Sequence, residues 1–250
     1  MSGYAYFAAY YDALTHNVGY LQQADYLEQL FARLGHQPGI VLDLACGTGS
    51  LTLELARRGL DVYGVDGSAQ MLSVAQDKAA QEGLSVLFIC QPMQRLDLFG
   101  TVNTVLCTLD SVNHLTRQED VKRAFERVTL FLEPGGYFIF DVNSVYKHQQ
   151  VLGNHTFVYD TPGVFCVWQN TLTAKTNRVG IHLDFFVKEE AGLYRRQQED
   201  FAERAYSDEV LTQLLTSAGL QVRQRFDGYS FHPVSPQSER VLYVAQKPGL

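Results

Sequence analysis

The 250-residue sequence has little of what several functional classes require. It holds four cysteines, Cys46, Cys90, Cys107 and Cys166, with no C-x-x-C pair among them. Each sits in an apolar stretch, which predicts reduced, buried thiols and argues against a disulfide framework or a cysteine-bound metal. Positive charge is also short, since 20 Lys and Arg face 27 Asp and Glu for a formal net charge of -7. A broad nucleic-acid footprint needs a basic face, so composition argues against one. No apolar run reaches membrane-spanning length, and no charged n-region with an apolar h-region opens the chain. Composition thus predicts a soluble, cytoplasmic protein. Internal repeats, low-complexity tracts and linkers are absent, which predicts one domain over residues 1–250.

Against these absences, 46% of the residues are hydrophobic, enough for a substantial core. The most informative stretch is VLDLACGTGS, residues 41–50. Residues 40–44 form a short apolar run with β-branched members, which predicts a buried strand. Gly47 and Gly49 follow in a tight turn, and Leu51, Leu55 and Ala56 then recur at helical spacing. A strand, a glycine turn and a helix start place backbone N–H groups around a small ligand. A dinucleotide fingerprint would require G-x-G-x-x-G, but Thr52 stands at the third glycine position. A Walker loop would require a Lys that this turn lacks.

Beyond the turn, strands are expected at 61–65, 85–89, 102–107 and 137–141, with helices between them. Asp66-Gly67 ends the second strand about twenty positions past the glycine turn, where an open α/β sheet puts a ribose-binding acid. Ser68 caps the next helix, whose inner face carries Met71, Leu72, Ala75 and Ala79. Past the fourth strand comes the polar cluster Leu109-Asp110-Ser111-Val112-Asn113-His114, at the edge where such sheets build their sites. From about 156 to 206 the pattern changes to alternating and aromatic, with turns at Thr161-Pro162-Gly163, Lys175-Thr176-Asn177 and Glu190-Ala191-Gly192. This predicts an inserted antiparallel sheet at about 150–206, between core segments at about 36–145 and 207–247. Upstream of the glycine turn, residues 20–34 should form an amphipathic helix ending at Gly35.

The run Asp43-x-Ala45-Cys46-Gly47-Thr48-Gly49 resembles motif I of the class I S-adenosylmethionine methyltransferases, which usually carry Gly where this chain has Ala45. The L-x-P-G-G phrase at 132–136 and the cluster after the fourth strand resemble further motifs of that family, including its sugar N,N-dimethyltransferase branch, where His occurs at the position of His114. Val-Leu-Gly-Asn at 151–154 and Phe-Phe-Val-Lys-Glu at 185–189 resemble the YqeM-like group of bacterial methyltransferases. The resemblance covers essentially residues 1–246. It implies a Rossmann-like seven-stranded, mostly parallel sheet with helices on both faces and an antiparallel last strand.

The resemblance also implies S-adenosylmethionine as cofactor and S-adenosylhomocysteine as product. Asp43 would lie near the methionine portion, with Ala45, Cys46, Gly47, Thr48 and Gly49 forming the turn around it. Asp66 and Gly67 would meet the ribose, and Met71 the adenine. Pro92 occupies the position where the family often carries an acid beside the adenine, which leaves Gln91, Met93 and Gln94 as candidates there. Leu109, Asp110 and Asn113 would border the cofactor or acceptor. In the family a leading segment closes over the cofactor, which makes Tyr11 and Tyr20, from a start also holding Tyr4, Tyr6 and Tyr10, the lid candidates.

The expected function is methyl transfer to N or O of a small-molecule acceptor by direct displacement. His114 is the candidate base, because imidazole titrates near neutrality, and Tyr11 a second candidate catalytic residue. No metal is expected, because the other histidines (16, 36, 148, 155, 182 and 232) show no ligand spacing. The inserted sheet is read as a lid over the acceptor and as a candidate homodimer surface. One rival reading, an RNA or protein methyltransferase, predicts a basic face near Arg195, Arg196 and Arg204. The others are a non-catalytic S-adenosylmethionine-binding module and a nicotinamide-dependent oxidoreductase.

Overall fold

A computed structural model describes residues 7–249, so Tyr4 and Tyr6 lie outside the described residues. Two helices lead in, α1 (Phe7–Leu14) and α2 (Tyr20–Leu34), and Gly35 ends α2 in the left-handed conformation. The core then runs β1 (Ile40–Leu44), α3 (Ser50–Arg57), β2 (Asp61–Asp66), α4 (Ala69–Glu82), β3 (Phe88–Cys90) and β4 (Val102–Cys107). It continues through α5 (Gln118–Phe131) and β5 (Leu132–Asn143). Strands β6 (Thr156–Asp160), β7 (Val164–Thr173), β8 (Arg178–Lys188) and β9 (Tyr194–Arg204) follow, then α6 (Asp208–Ser217), β10 (Gln221–Asp227) and β11 (Arg240–Gln246).

Seven strands form one sheet in the order β10-β11-β5-β4-β1-β2-β3. All neighbours are parallel except β11, which is antiparallel to both β5 and β10. Alternate residues feed the two faces, as the strand period requires. Leu42, Leu44, Phe138 and Phe140 pack with α5 and α6, whereas Val41, Leu106 and Ile139 pack with α2 and α3. Burial on both faces explains why these strands read as continuous apolar runs. Phe125, Phe138 and Phe140 are each at most 1% exposed, and each such side chain contributes about 1.5–3 kcal/mol through burial.

The inserted sheet has the order β6-β7-β8-β9, with all pairs antiparallel. Its connections fall at the three expected turns. Its inner face (Val164, Cys166, Val179, Ile181, Leu183 and Phe185) packs on Ala8 and Leu14 of α1 and Met71 of α4. The sheet therefore lies over the lead-in helix beside the glycine turn.

Three expectations change. β3 is only Phe88–Cys90, because this edge strand has β2 partners only from Gly64 onward. β5 begins at Leu132, since the L-x-P-G-G phrase is absorbed as an irregularity between the pairs Val102–Leu132 and Thr104–Tyr137. Cys107 and Cys166 are buried and Cys46 half-buried, but Cys90 is exposed at the open end of β3. No helix of the described residues is long and apolar enough to cross a membrane.

Candidate active site

The chain ends of β1, β2 and β4 converge on one cleft of about 320 Å³. Ala45 and Gly47 of the glycine turn border it, both in the left-handed conformation with φ near 61° and 55°. That conformation costs an L-residue about 1–2 kcal/mol, so Ala45 carries a strain that glycine would not. Gly49 is constrained differently: a Cβ there would stand 2.9 Å from that of Ala75, so it permits α3 and α4 to meet closely.

Asp66, at the end of β2, lines the cleft. Its Oδ2 accepts the Gly47 N–H at 2.9 Å, and its Oδ1 accepts the Ser68 N–H at 2.8 Å. Burial raises its pKa, and those two backbone donors hold the rise back. Gly67, Met71, Gln91, Met93 and Gln94 continue this wall, joined by Ser68 and Pro92. The Gln91 side chain is engaged elsewhere, donating to Asp97 O at 3.0 Å and accepting from Asp97 N at 2.8 Å.

The opposite wall is Leu109, Ser111, His114 and Leu115. Leu109 and Asp110 both have positive φ, 55° and 53°. Two such residues in a row persist only when their surroundings over-determine them, and buried Asp141 of β5 does so. Its Oδ1 accepts the Leu109 N–H at 2.7 Å and its Oδ2 the Asp110 N–H at 3.0 Å. Tyr229 donates to Asp141 at 2.8 Å, and Arg240 at the head of β11 bridges Asp141 and Asp110. The guanidinium holds the Asp110 carboxyl below its usual range against the upward push of burial. His114 ends the 3-10 turn Ser111–His114, with its ring 5.6 Å from that of Phe201 and its Nε2 3.7 Å from Glu203 Oε1.

Tyr11 closes the cleft from α1. Burial and the neighbouring, hydrogen-bonded Tyr20 keep its phenol protonated, with the pKa far above 10. Asp12 fastens α1 to the turn below. It accepts from Thr48 at 2.6 Å, from Ser50 at 3.3 Å and from Lys78 at 2.8 Å.

Of the residues singled out in the sequence, the structure brings Tyr11, Ala45, Gly47, Asp66, Gly67, Met71, Gln91, Met93, Gln94, Leu109 and His114 to this cleft. Tyr20, Asp43, Cys46, Thr48, Gly49, Asp110 and Asn113 are not among its lining residues. Asp43 is 2% exposed and receives the Thr52 hydroxyl at 2.5 Å, so it ties β1 to α3 behind the turn. Asn113 is fully buried, and its amide is spent on Asn143 N, Asn143 O and Arg204 O. It staples β9 to the end of β5. Asp141, Glu203, Tyr229 and Arg240 were not foreseen as site residues, because no local motif marks them.

Residues 41–136 match the model of the methyltransferase-domain family. The YqeM protein of Bacillus subtilis (strain 168) is 32% identical over 245 residues, 98% of this chain and 97% of that protein. The crystal structure of an S-adenosylmethionine-dependent methyltransferase from Clostridium acetobutylicum superposes with a TM-score of 0.88. It is 35% identical, with coverage of 99% of this chain and 100% of that one.

The chain is a class I S-adenosylmethionine-dependent methyltransferase.

The sugar methyltransferases share the architecture of this methyltransferase. CalS10, an amino pentose methyltransferase from Micromonospora echinaspora with S-adenosylmethionine bound, superposes with a TM-score of 0.74. It is 20% identical, covering 95% of this chain and 96% of that one. At that identity the likeness is one of fold. The methyltransferase sheet here carries the antiparallel last strand that the resemblance implied, β11, which lies between β10 and β5.

Proposed function

We propose that this methyltransferase transfers a methyl group to N or O of a small-molecule acceptor, and that the cleft between Asp66 and His114 is where cofactor and acceptor meet. The observation that carries this reading is the continuity of that cleft, from Asp66 and Met71 at one end to Ser111, His114 and Leu115 at the other.

The first end fits the cofactor. Gly47 has open space where a Cβ would stand. Each Asp66 oxygen accepts one backbone N–H and keeps a lone pair for a ribose hydroxyl. Met71, Pro92 and Met93 offer apolar surface to a purine. When bound, S-adenosylmethionine supplies a methyl carbon activated by the sulfonium charge. Asp66 and Gly67 would hold its ribose, Met71, Gln91, Met93 and Gln94 its adenine, and Ala45, Gly47 and Leu109 its methionine portion. Asp43, Thr48, Gly49, Tyr20, Asp110 and Asn113 stand outside this lining: Asp43 holds Thr52 of α3, Thr48 holds Asp12 of α1, Tyr20 bonds Tyr11, and Asp110 pairs with Arg240. Cys46 sits in the turn itself.

Displacement needs acceptor and methyl carbon held in line and water kept out. Tyr11 supplies that cover, and the inserted sheet backs the helix that carries it. Because its phenol stays protonated, Tyr11 acts as a donor, which leaves His114 as the group placed to take the acceptor's proton. The arginines of the nucleic-acid reading are committed elsewhere. Arg195 pairs with Glu189, Arg196 with Asp184 at 2.7 Å, and Arg204 stacks 4.9 Å above Tyr206. That dispersal favours a small acceptor over a polyanion.

The test is calorimetric titration with S-adenosylmethionine and with S-adenosylhomocysteine, followed by incubation with methyl-labelled cofactor and a metabolite panel. Binding of both, with label moving to a small molecule, is the expected result. Label moving only to RNA or protein would replace the small-acceptor reading.

A further inference from the structure

Glu203 is distant in sequence from Asp110 and His114, yet one donor atom from each of the three lies within 4.8 Å of the others, beside the His114 wall of the cleft. The inserted sheet makes this meeting, because Glu203 stands on β9. Glu203 is 4% exposed, and its two oxygens differ. Oε2 faces Nε2 of the fully buried His148 and Nδ2 of Asn143, each at 3.5 Å. Oε1 faces His114 Nε2 at 3.7 Å, too far for a hydrogen bond. Asp110 repeats the arrangement, with Arg240 Nη2 holding Oδ1 at 2.6 Å and the other oxygen left over. Carboxylates that bind metal are oriented in this way, with outer partners steering the ligating atom. A nitrogen and an oxygen 3.7 Å apart also match two bonds of about 2.1 Å converging on one ion.

Charge points the same way. Asp110, Asp141 and Glu203 place three carboxylates here, and Arg240 is bonded to only the first two. His148, packed behind Glu203, makes no hydrogen bond at Nε2. Glu203 Oε2 is thus held only by the long bond from Asn143 Nδ2, and a cation on Oε1 would offset part of the cost of burying this carboxylate.

We propose that Asp110, His114 and Glu203 bind a divalent cation of the Mn²⁺ or Zn²⁺ class at the acceptor end of the cleft. One imidazole with two carboxylates and no thiolate suits such ions better than Mg²⁺, which prefers an all-oxygen octahedron. Three protein ligands leave positions open for a hydroxyl or amine of the acceptor. That last role rests on the function proposed above, whereas the binding itself does not. In the ion-loaded protein His114 is a ligand instead of a proton acceptor.

The full chain, stripped with chelator, is titrated with MnCl₂ by calorimetry and by electron paramagnetic resonance, then with ZnCl₂ and MgCl₂. Wild type, His114→Ala and Glu203→Gln are compared, with S-adenosylhomocysteine binding measured on the same samples as a check of folding. The expected result is one Mn²⁺ per wild-type chain, Mg²⁺ binding more weakly, and a loss of Mn²⁺ affinity of about ten-fold or more in each variant. No stoichiometric uptake by wild type, or equal uptake by folded variants, overturns the site. Mn²⁺ uptake without any S-adenosylhomocysteine binding would instead overturn the cofactor reading and leave the ion site standing.

Discussion

Asp66 accepts the backbone N–H of Gly47 at 2.9 Å, so the end of β2 and the glycine turn after β1 form one unit. Asp66→Ala therefore removes a turn-shaping bond along with the proposed ribose contact. Hydrogen bonds to a charged group contribute about 1.5–3 kcal/mol, or roughly ten- to a hundred-fold in affinity. Calorimetry with S-adenosylhomocysteine should show a loss in that range. An unchanged dissociation constant would separate Asp66 from cofactor binding.

His114→Ala is expected to lower turnover about 10²- to 10⁴-fold, the usual range for a positioned acid–base group. Its S-adenosylmethionine affinity should stay near that of wild type, because the end of the cleft proposed to hold the cofactor is formed by other side chains. Full turnover in the variant would make the imidazole structural.

Buried Asp43 predicts a pH-dependent stability of unusual sign. Desolvation pushes its pKa up to about 6, against an ordinary value of 3.8. Between those values the folded state holds a proton that the unfolded state has lost, so this group's contribution falls as pH rises from about 4 to 6. The full effect is up to about 3 kcal/mol. Asp43→Asn keeps an acceptor for Thr52 and cannot titrate. Urea melts at pH 4, 5, 6 and 7 should show the stability difference, variant minus wild type, growing with pH. A constant difference would refute it.

Asn113→Ala leaves Asn143 N, Asn143 O and Arg204 O without their buried partner. The expected cost is about 2–4 kcal/mol in denaturant unfolding, with S-adenosylhomocysteine affinity of the folded fraction retained. A stable variant with lost affinity would return Asn113 to the cofactor site.

The Asp66 end of the cleft was legible because it is local. Strand, glycine turn, helix and the acid after β2 fall within residues 40–66, and periodicity reads such stretches well. The inserted sheet was equally open to reading, since alternation and three turn signals fixed its strands. Of the opposite wall, Leu109 and His114 were legible in the cluster after β4, whereas Asp141, Glu203, Tyr229 and Arg240 were not, because they arrive by pairings across the chain. Arg240 reaches Asp141 and Asp110 only because β11 aligns antiparallel to β5, with Arg240 opposite Asn143. Asn113 shows the converse error: a polar residue in a site-like cluster suggested a ligand contact, whereas burial has committed it to the backbone. Ala45 falls between, since the departure from glycine was visible and its strained backbone was not.

The position of β11 also bears on how the protein is made. It lies between β5 and β10 in the sheet, yet it follows every other strand in sequence. A chain emerging from the ribosome can complete the glycine turn and the four-stranded insert while β11 is still unmade. Asp141 must then wait 99 residues for Arg240, and the Leu109–Asp110 wall lacks its guanidinium support until that strand docks. The wall that faces Asp66 is thus the part of the cleft finished last during synthesis.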